Sequence, residues 1–304
     1  MPVDAEIQCL LDALKGAPPM ESLSVEALRA SVPVPPLAAR PKVRATEDVL
    51  IPGAPPIPAR VYRPIELQSD GLVIFLHGGG FVVGSLETHD HVCRDLCRRA
   101  GIVVLAVDYR LAPEAKFPAA VDDSLNAARW ALRNAVGLSV NQGNIIIAGD
   151  SAGGNLAAVT AIRLRDEGEP LRGQLLIYPV TDYHTPGTAS YFEHASGYSL
   201  TRAAMIRFWR EYLANEEGAT HVYAAPLRAS DLGNLPPAFV MTAELDPLRD
   251  EGEAFARRLA DAGVAVMLKR YDGMIHGFFR MAPVSERASA AIDDAVAWMH
   301  QVLR

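Results

Sequence analysis

The sequence predicts an α/β fold: an eight-stranded, mostly parallel sheet flanked by helices, with a helical cap. Three observations carry this. From Leu72 onward, short and nearly continuous apolar runs alternate with helical stretches, the pattern of strands buried on both faces and joined by right-handed crossovers. Two extended segments precede that alternation and raise the strand number to eight. One connection, from Tyr178 to Ala238, runs to about sixty residues where a crossover needs a dozen or more, so it holds an insert.

In chain order, "AEIQCLLDALK" places Ile7, Leu10, Leu11 and Leu14 on one helix face, and "SVEALRASV" gives a second helix after a Pro-Pro break. The Pro-rich segment Pro33 to Pro41 reads as an extended linker. "KVRATEDVLIP" and "IPARVYRP" are extended, and their prolines suit edge strands and turns. The apolar runs "LVIFLH", "IVVLAVDY", "NIIIAG", "QLLIYP", "PAFVMTAE" and "VAVMLKRY" are the remaining six strands. Helices are expected near Asp90–Ala100, Pro118–Asn134, Asn155–Glu167, Asp250–Ala262 and Ser285–Leu303. The division that follows has residues 1–42 and 181–225 as the cap, with 43–180 and 226–304 as the sheet core. The insert carries Tyr183, Tyr191, Phe192, Tyr198, Phe208, Trp209, Tyr212 and Tyr223. These aromatics fill the insert's own core, line a pocket, or do both.

A chain of 304 residues, half of them hydrophobic, buries a large core. Its net charge of −7 speaks against a nucleic-acid partner. Three cysteines cannot all pair, which fits a reducing compartment. Asp4 and Glu6 stand where a secretion signal would carry Lys or Arg, and no apolar run approaches the ~18 residues of a membrane span. The expectation is a soluble, cytoplasmic protein without membrane insertion, and a homodimer is left open. His89, Cys93 and Cys97 sit at i, i+4 and i+8 of a helix. At ~1.5 Å rise per residue the outer two stand about 12 Å apart, too far to share one metal ion, so a packed helix face is expected.

The chemistry begins at "GDSAGG". Gly149-Asp150-Ser151-Ala152-Gly153 matches G-x-S-x-G, a weak signal alone. Here it lies where a buried strand turns into a helix, as a nucleophile elbow requires. Gly149 and Gly153 permit a strained corner there, and Gly154 lets the helix pack close. A serine hydroxyl needs a base, and a sheet presenting its serine in this way supplies an Asp or Glu and then a His downstream. Of the later histidines, His184, His194 and His221 fall in the insert and His300 near the end of the terminal helix. His276, in a glycine-flanked loop just after the last strand, is the base candidate. Among the acids, Glu244 borders its strand, Asp250 looks like a helix N-cap, and Asp272 is merely near in sequence. Asp246, in the turn before Pro247, is best placed. The oxyanion of an acyl-transfer intermediate would find the N–H of Ala152 and donors from His77-Gly78-Gly79-Gly80 after the first parallel strand. His77 itself is expected to brace that loop. Neither glycine cluster carries a phosphate-binding or dinucleotide motif.

With "HGGGF" at 77–81, "VDYRLAPE" at 107–114, "GDSAGGNLA" at 149–157, "DPLRDEG" at 246–252 and "HGF" at 276–278, the chain resembles the hormone-sensitive-lipase-like, bacterial family IV carboxylesterases of the α/β-hydrolase superfamily, in the GDSAG subgroup. The resemblance implies Ser151 as nucleophile, Asp246 as acid and His276 as base. It also implies Gly79, Gly80 and Ala152 as oxyanion donors, with Gly78 shaping the turn. It further implies short- to medium-chain acyl ester substrates and a cap built from the N-terminus and the insert. No metal or organic cofactor is required. A lipase, an amidase or deacetylase on the same fold, and a non-catalytic small-molecule receptor are the alternatives.

Overall fold

In the computed structural model, which describes residues 2–169 and 171–304, the eight strands are β1 Ala45–Ile51, β2 Ile57–Arg63, β3 Leu72–Leu76, β4 Val103–Val107, β5 Ile145–Asp150, β6 Gly173–Ile177, β7 Ala238–Leu245 and β8 Val266–Ile275. They form one sheet in the order β1-β2-β4-β3-β5-β6-β7-β8. Strand β2 runs antiparallel to both its neighbours, and all pairs from β4 to β8 are parallel. β2 is thus an inner strand, not an edge. Its proline is tolerated because Pro58 precedes the register with β4, which starts at Ala59 opposite Val107.

Among the described residues, ten α-helices accompany the sheet. α1 is Ala5–Ala13, α2 Val25–Ser31, α3 Leu86–Ala100, α4 Ala119–Arg133 and α5 Ala135–Leu138. α6 is Ala152–Asp166, α7 Ala189–Glu193, α8 Arg202–Tyr212, α9 Arg249–Asp261 and α10 Glu286–Val302. Side chains alternate along each strand. In β3, Leu72, Ile74 and Leu76 join the apolar layer of α4, α6 and α9, while Val73 and Phe75 join the layer of α3 and α10. This two-sided burial is why these strands read as unbroken apolar runs. Local signals fix the ends of α3: Ser85 and Thr88 form a capping box, and Gly101 closes the helix in the left-handed region at φ 60°.

The N-terminal segment divides its contacts. Ile7 of α1 packs into the α3/α10 layer, Asp4 N–H donates to Gly273 O, and Glu286 N–H donates to Glu6. Residues from Met20 onward face the insert and the loop after β3. Arg207 of α8 donates to Met20 O, and Arg29 of α2 donates to Val82 O (2.9 Å) and Ala112 O (3.0 Å). Within the insert, Tyr191, Trp209 and Tyr212 are buried in the same apolar layer as α4 and α6, with Tyr212 stacked on Phe81 at 3.8 Å. Phe192 instead stands in solvent. Among the described residues, no helix is long and apolar enough to cross a membrane.

Candidate active site

β5 ends at Asp150 and α6 begins at Ala152, leaving Ser151 alone at the corner with φ 56° and ψ −118°. A side chain in that region costs of order 1–3 kcal/mol and persists only where the surroundings impose it. They do so here. Ser151 N–H donates to Ile177 O (2.8 Å), and Ser151 O accepts from Asn155 and Val180. The Asn155 amide ties Val180 O to Ala224 O. A Cβ on Gly153 would collide with the Leu76 carbonyl, so α6 approaches β3 this closely only with glycine there.

The two distant partners converge on this corner. Asp246 follows the end of β7 and His276 follows the end of β8, so both lie at the carboxyl edge of the sheet beside Ser151. His276 Nε2 is 2.9 Å from Ser151 Oγ, and Nδ1 is 2.7 Å from Asp246 Oδ2. Asp246 is fully buried, and its Oδ1 accepts Leu248 N–H at 2.9 Å. Ser199 of the insert donates its hydroxyl to His276 O (2.9 Å), and the Tyr178 ring lies 4.7 Å from the imidazole.

The other candidates are engaged elsewhere. Glu244 accepts Gly273 N–H, and Asp272 faces solvent. His184 bonds to Thr185, His194 to Arg249, and His221 accepts Tyr223 N–H. Asp250 is not the N-cap its position suggested, because α9 starts directly from the tight turn at 246–248. Its carboxylate lies within the first helical turn and accepts Ser190 N–H from the insert (2.8 Å).

The loop 77–80 adjoins the β5–α6 corner, where a Cβ on Gly153 would meet the His77 carbonyl. Gly79 and Gly80 both have positive φ, 125° and 59°. Among the described residues no protein acceptor takes the N–H of Gly79, Gly80 or Ala152. Gly78 N–H is held at 2.8 Å by Asp150 Oδ1, His77 Nδ1 bonds to Gly78 O (2.8 Å), and Tyr109 OH donates to His77 O (2.6 Å). Phe208 of α8 lies directly over Gly80. Sequence reasoning did not place His89, Tyr109, Tyr178 or Ser199 at the site, and named Phe208 only among the insert's aromatics. By pattern these are ordinary core, helix or loop residues, and only the fold brings them to the site. Cys93 and Cys97 pack in the apolar layer of α3, while His89 turns toward Asp150.

Electrostatically, Asp150 and the histidines around it are unusual. Burial works to raise Asp150, but His89, Arg280 and the Gly78 N–H outweigh it and hold it down to about 2. Burial pushes His77, His89 and His91 each down to about 4. An unfolded imidazole takes its proton near 6.5, so between that pH and about 4 the unfolded chain binds more protons than the folded one. Stability is therefore full above this window and lost as pH falls through it. The melting temperature, followed by circular dichroism, is expected to be flat near neutrality and to drop steadily from pH 6.5 toward pH 4. An acid-side profile flat down to pH 4 would contradict the burial of these neutral imidazoles.

Comparison with known proteins agrees with this architecture. A family described as having the α/β-hydrolase fold matches residues 73–280. An ethyl acetate hydrolase of Pseudomonas putida is 39% identical over 254 residues, covering 81% of this chain and 79% of that protein. An arylesterase of Saccharolobus solfataricus is 40% identical over 237 residues, covering 78% and 77% of the two chains. The structure of a hyperthermophilic esterase from Pyrobaculum calidifontis superposes with a TM-score of 0.94 at 43% identity, covering 100% of both chains. With a sheet of this order, a serine at the β5–α6 corner and these relatives along most of its length, the chain belongs to the α/β-hydrolase fold family.

Proposed function

We propose that the protein is a serine carboxylesterase, similar to the hormone-sensitive-lipase-like enzymes, that hydrolyses short- to medium-chain acyl esters through an acyl-enzyme. The observation that carries this reading is the unbroken hydrogen-bonded line from Asp246 through His276 to Ser151, together with three N–H groups, of Gly79, Gly80 and Ala152, that have no protein acceptor among the described residues. Relatives named as ethyl acetate hydrolase and arylesterase support an ester as the substrate class.

The geometry supports each step of this reading. His276 Nε2 takes the Ser151 proton as Oγ bonds to the ester carbonyl carbon. The carbonyl oxygen becomes an oxyanion, to which Gly79, Gly80 and Ala152 offer N–H groups, the last at the positive end of α6. Such a donor contributes about 2.7–4 kcal/mol to lowering the barrier. The C–O bond to the alcohol then breaks, and the alcohol leaves with the proton from His276. Water adds to the acyl-enzyme, giving its proton to the same Nε2, and the C–Oγ bond breaks to release the acid and restore Ser151. Asp246 keeps the Nδ1–H tautomer and stabilises the imidazolium at each stage. His77, Gly78 and Asp150 hold the loop, while Gly149 and Gly153 permit the corner. Segments 1–42 and 181–225 act as the cap; Phe208 over Gly80 and the Arg207–Met20 bond support a roof made jointly by both.

A p-nitrophenyl ester series from acetate to palmitate tests this. Turnover should be highest between two and about eight acyl carbons and fall steeply beyond, with stoichiometric labelling of Ser151 by a fluorophosphonate. Absence of labelling together with absence of ester turnover would overturn the reading.

A further inference from the structure

We propose that His89 is a positioning residue for this esterase reaction: it holds the Asp150 carboxylate, which in turn fixes the glycine loop 77–80. The proposal rests on the esterase reading above and concerns a side chain from α3 that touches neither Ser151 nor His276.

Asp150 precedes the nucleophile yet stands outside the triad. Its carboxylate is 3% exposed, and a buried carboxylate needs donors or it costs several kcal/mol. Gly78 N–H supplies one at 2.8 Å on Oδ1, and Tyr178 OH reaches Oδ2 at 3.4 Å. His89, 2% exposed, brings Nε2 to 3.3 Å from Oδ1, an electrostatic contact without hydrogen-bond geometry. Its ring also lies against the ring of His77, with centroids 5.5 Å apart. One imidazole thus touches both residues that grip the loop, His77 and Asp150.

The hydrogen bonds select its tautomer. Thr88 Oγ1 accepts Ser85 N–H (2.9 Å) and has a single proton to give, with Ser85 O at 3.0 Å and His89 Nδ1 at 2.9 Å both in reach. A lone pair on Nε2 facing the Asp150 carboxylate would be repulsive. The proton therefore sits on Nε2, and Nδ1 receives the Thr88 hydroxyl. Burial holds the ring neutral at pH 7. The side chain then holds a fixed N–H dipole beside Asp150, tied by the Thr88 hydroxyl at its other end. Without it Asp150 loses that electrostatic support, its grip on Gly78 N–H loosens, and Gly79 and Gly80 no longer hold their N–H groups toward a developing oxyanion. An ångström of misplacement there costs up to about a hundredfold in rate.

The test compares His89→Phe with His89→Gln. Gln offers an N–H dipole toward Asp150 and an acceptor toward Thr88 without titrating; Phe fills the space with neither. On p-nitrophenyl acetate, with active sites counted by fluorophosphonate titration, H89F is expected to lose ~10–100-fold in kcat with KM within about threefold. H89Q is expected to stay within about threefold of the parent in both. The rate of phosphonate labelling, which also builds charge on an oxygen at the loop, should fall in H89F by the same factor as kcat/KM. If H89F does not fold, as thermal denaturation reports, His89→Leu carries the same expectation. H89F with full kcat, equal losses in H89F and H89Q, or a loss confined to KM would each overturn the positioning role. An inert parent enzyme that no phosphonate labels would instead overturn the esterase reading itself.

Discussion

Ser151→Ala is expected to abolish ester hydrolysis while leaving the fold in place. The substitution removes one oxygen and keeps a Cβ, so the corner at φ 56° carries the same backbone strain with either side chain. The bonds from Ser151 N–H and to Ser151 O are main-chain bonds and survive. His276 keeps its bond to Asp246 but has no hydroxyl to activate. In serine hydrolases generally, removing the nucleophile costs about a millionfold in kcat, and the remainder comes from oxyanion stabilisation and binding. The expected residual rate on p-nitrophenyl butyrate is therefore at or below that of contaminating enzyme, with no fluorophosphonate labelling and a melting temperature near that of the parent. Retention of even a thousandth of the parent activity in a pure sample would remove Ser151 from the proposed role.

The second large effect is expected at Asp246→Asn. Asparagine is nearly isosteric and can keep the oxygen that accepts Leu248 N–H. It would, however, turn an N–H group toward His276 Nδ1, where Asp246 now accepts at 2.7 Å. The imidazole would then place its proton on Nε2 and face Ser151 Oγ without a lone pair. A wrong tautomer of this kind costs about ten-thousandfold in kcat, with KM little changed because no substrate contact is lost. Steady-state kinetics from pH 6 to 9 check this, and a loss below about tenfold would show that Asp246 does not set the tautomer.

The two residues were legible to different degrees. Ser151 is marked locally by glycines and by the switch from apolar run to helix, since a sharp strand-to-helix corner needs small neighbours. Asp246 was found by order and by loop position among Glu244, Asp250 and Asp272. The same reasoning made Asp250 an N-cap, which it is not: Asp246 closes the turn itself through Leu248 N–H and the Arg249 bond. Likewise Pro58 suggested an edge strand, yet β2 is internal, because its proline lies just outside the register with β4.

What the sequence alone determined is therefore what chain-local physics encodes. Strands buried on both faces appear as the apolar runs from "LVIFL" to "NIIIAG", and the strained corner shows at "GDSAGG"; the helix expected near Asp90 instead starts at Leu86, behind Ser85. The order of Ser151, Asp246 and His276 belongs to the same class of information, because successive parallel strands deliver their loops to one edge of the sheet. What only the tertiary structure decided is which side chains meet there from other layers: His89 at Asp150, Phe208 over Gly80, Ser199 on His276 O, and the divided docking of residues 2–32. Sequence periodicity reports that a side chain is buried, not which buried neighbour it faces. His89, spaced with Cys93 and Cys97 along one helix, reads as part of an apolar packing face. Only the packing of α3 sets its Nε2 beside a carboxylate sixty-one positions away in the chain.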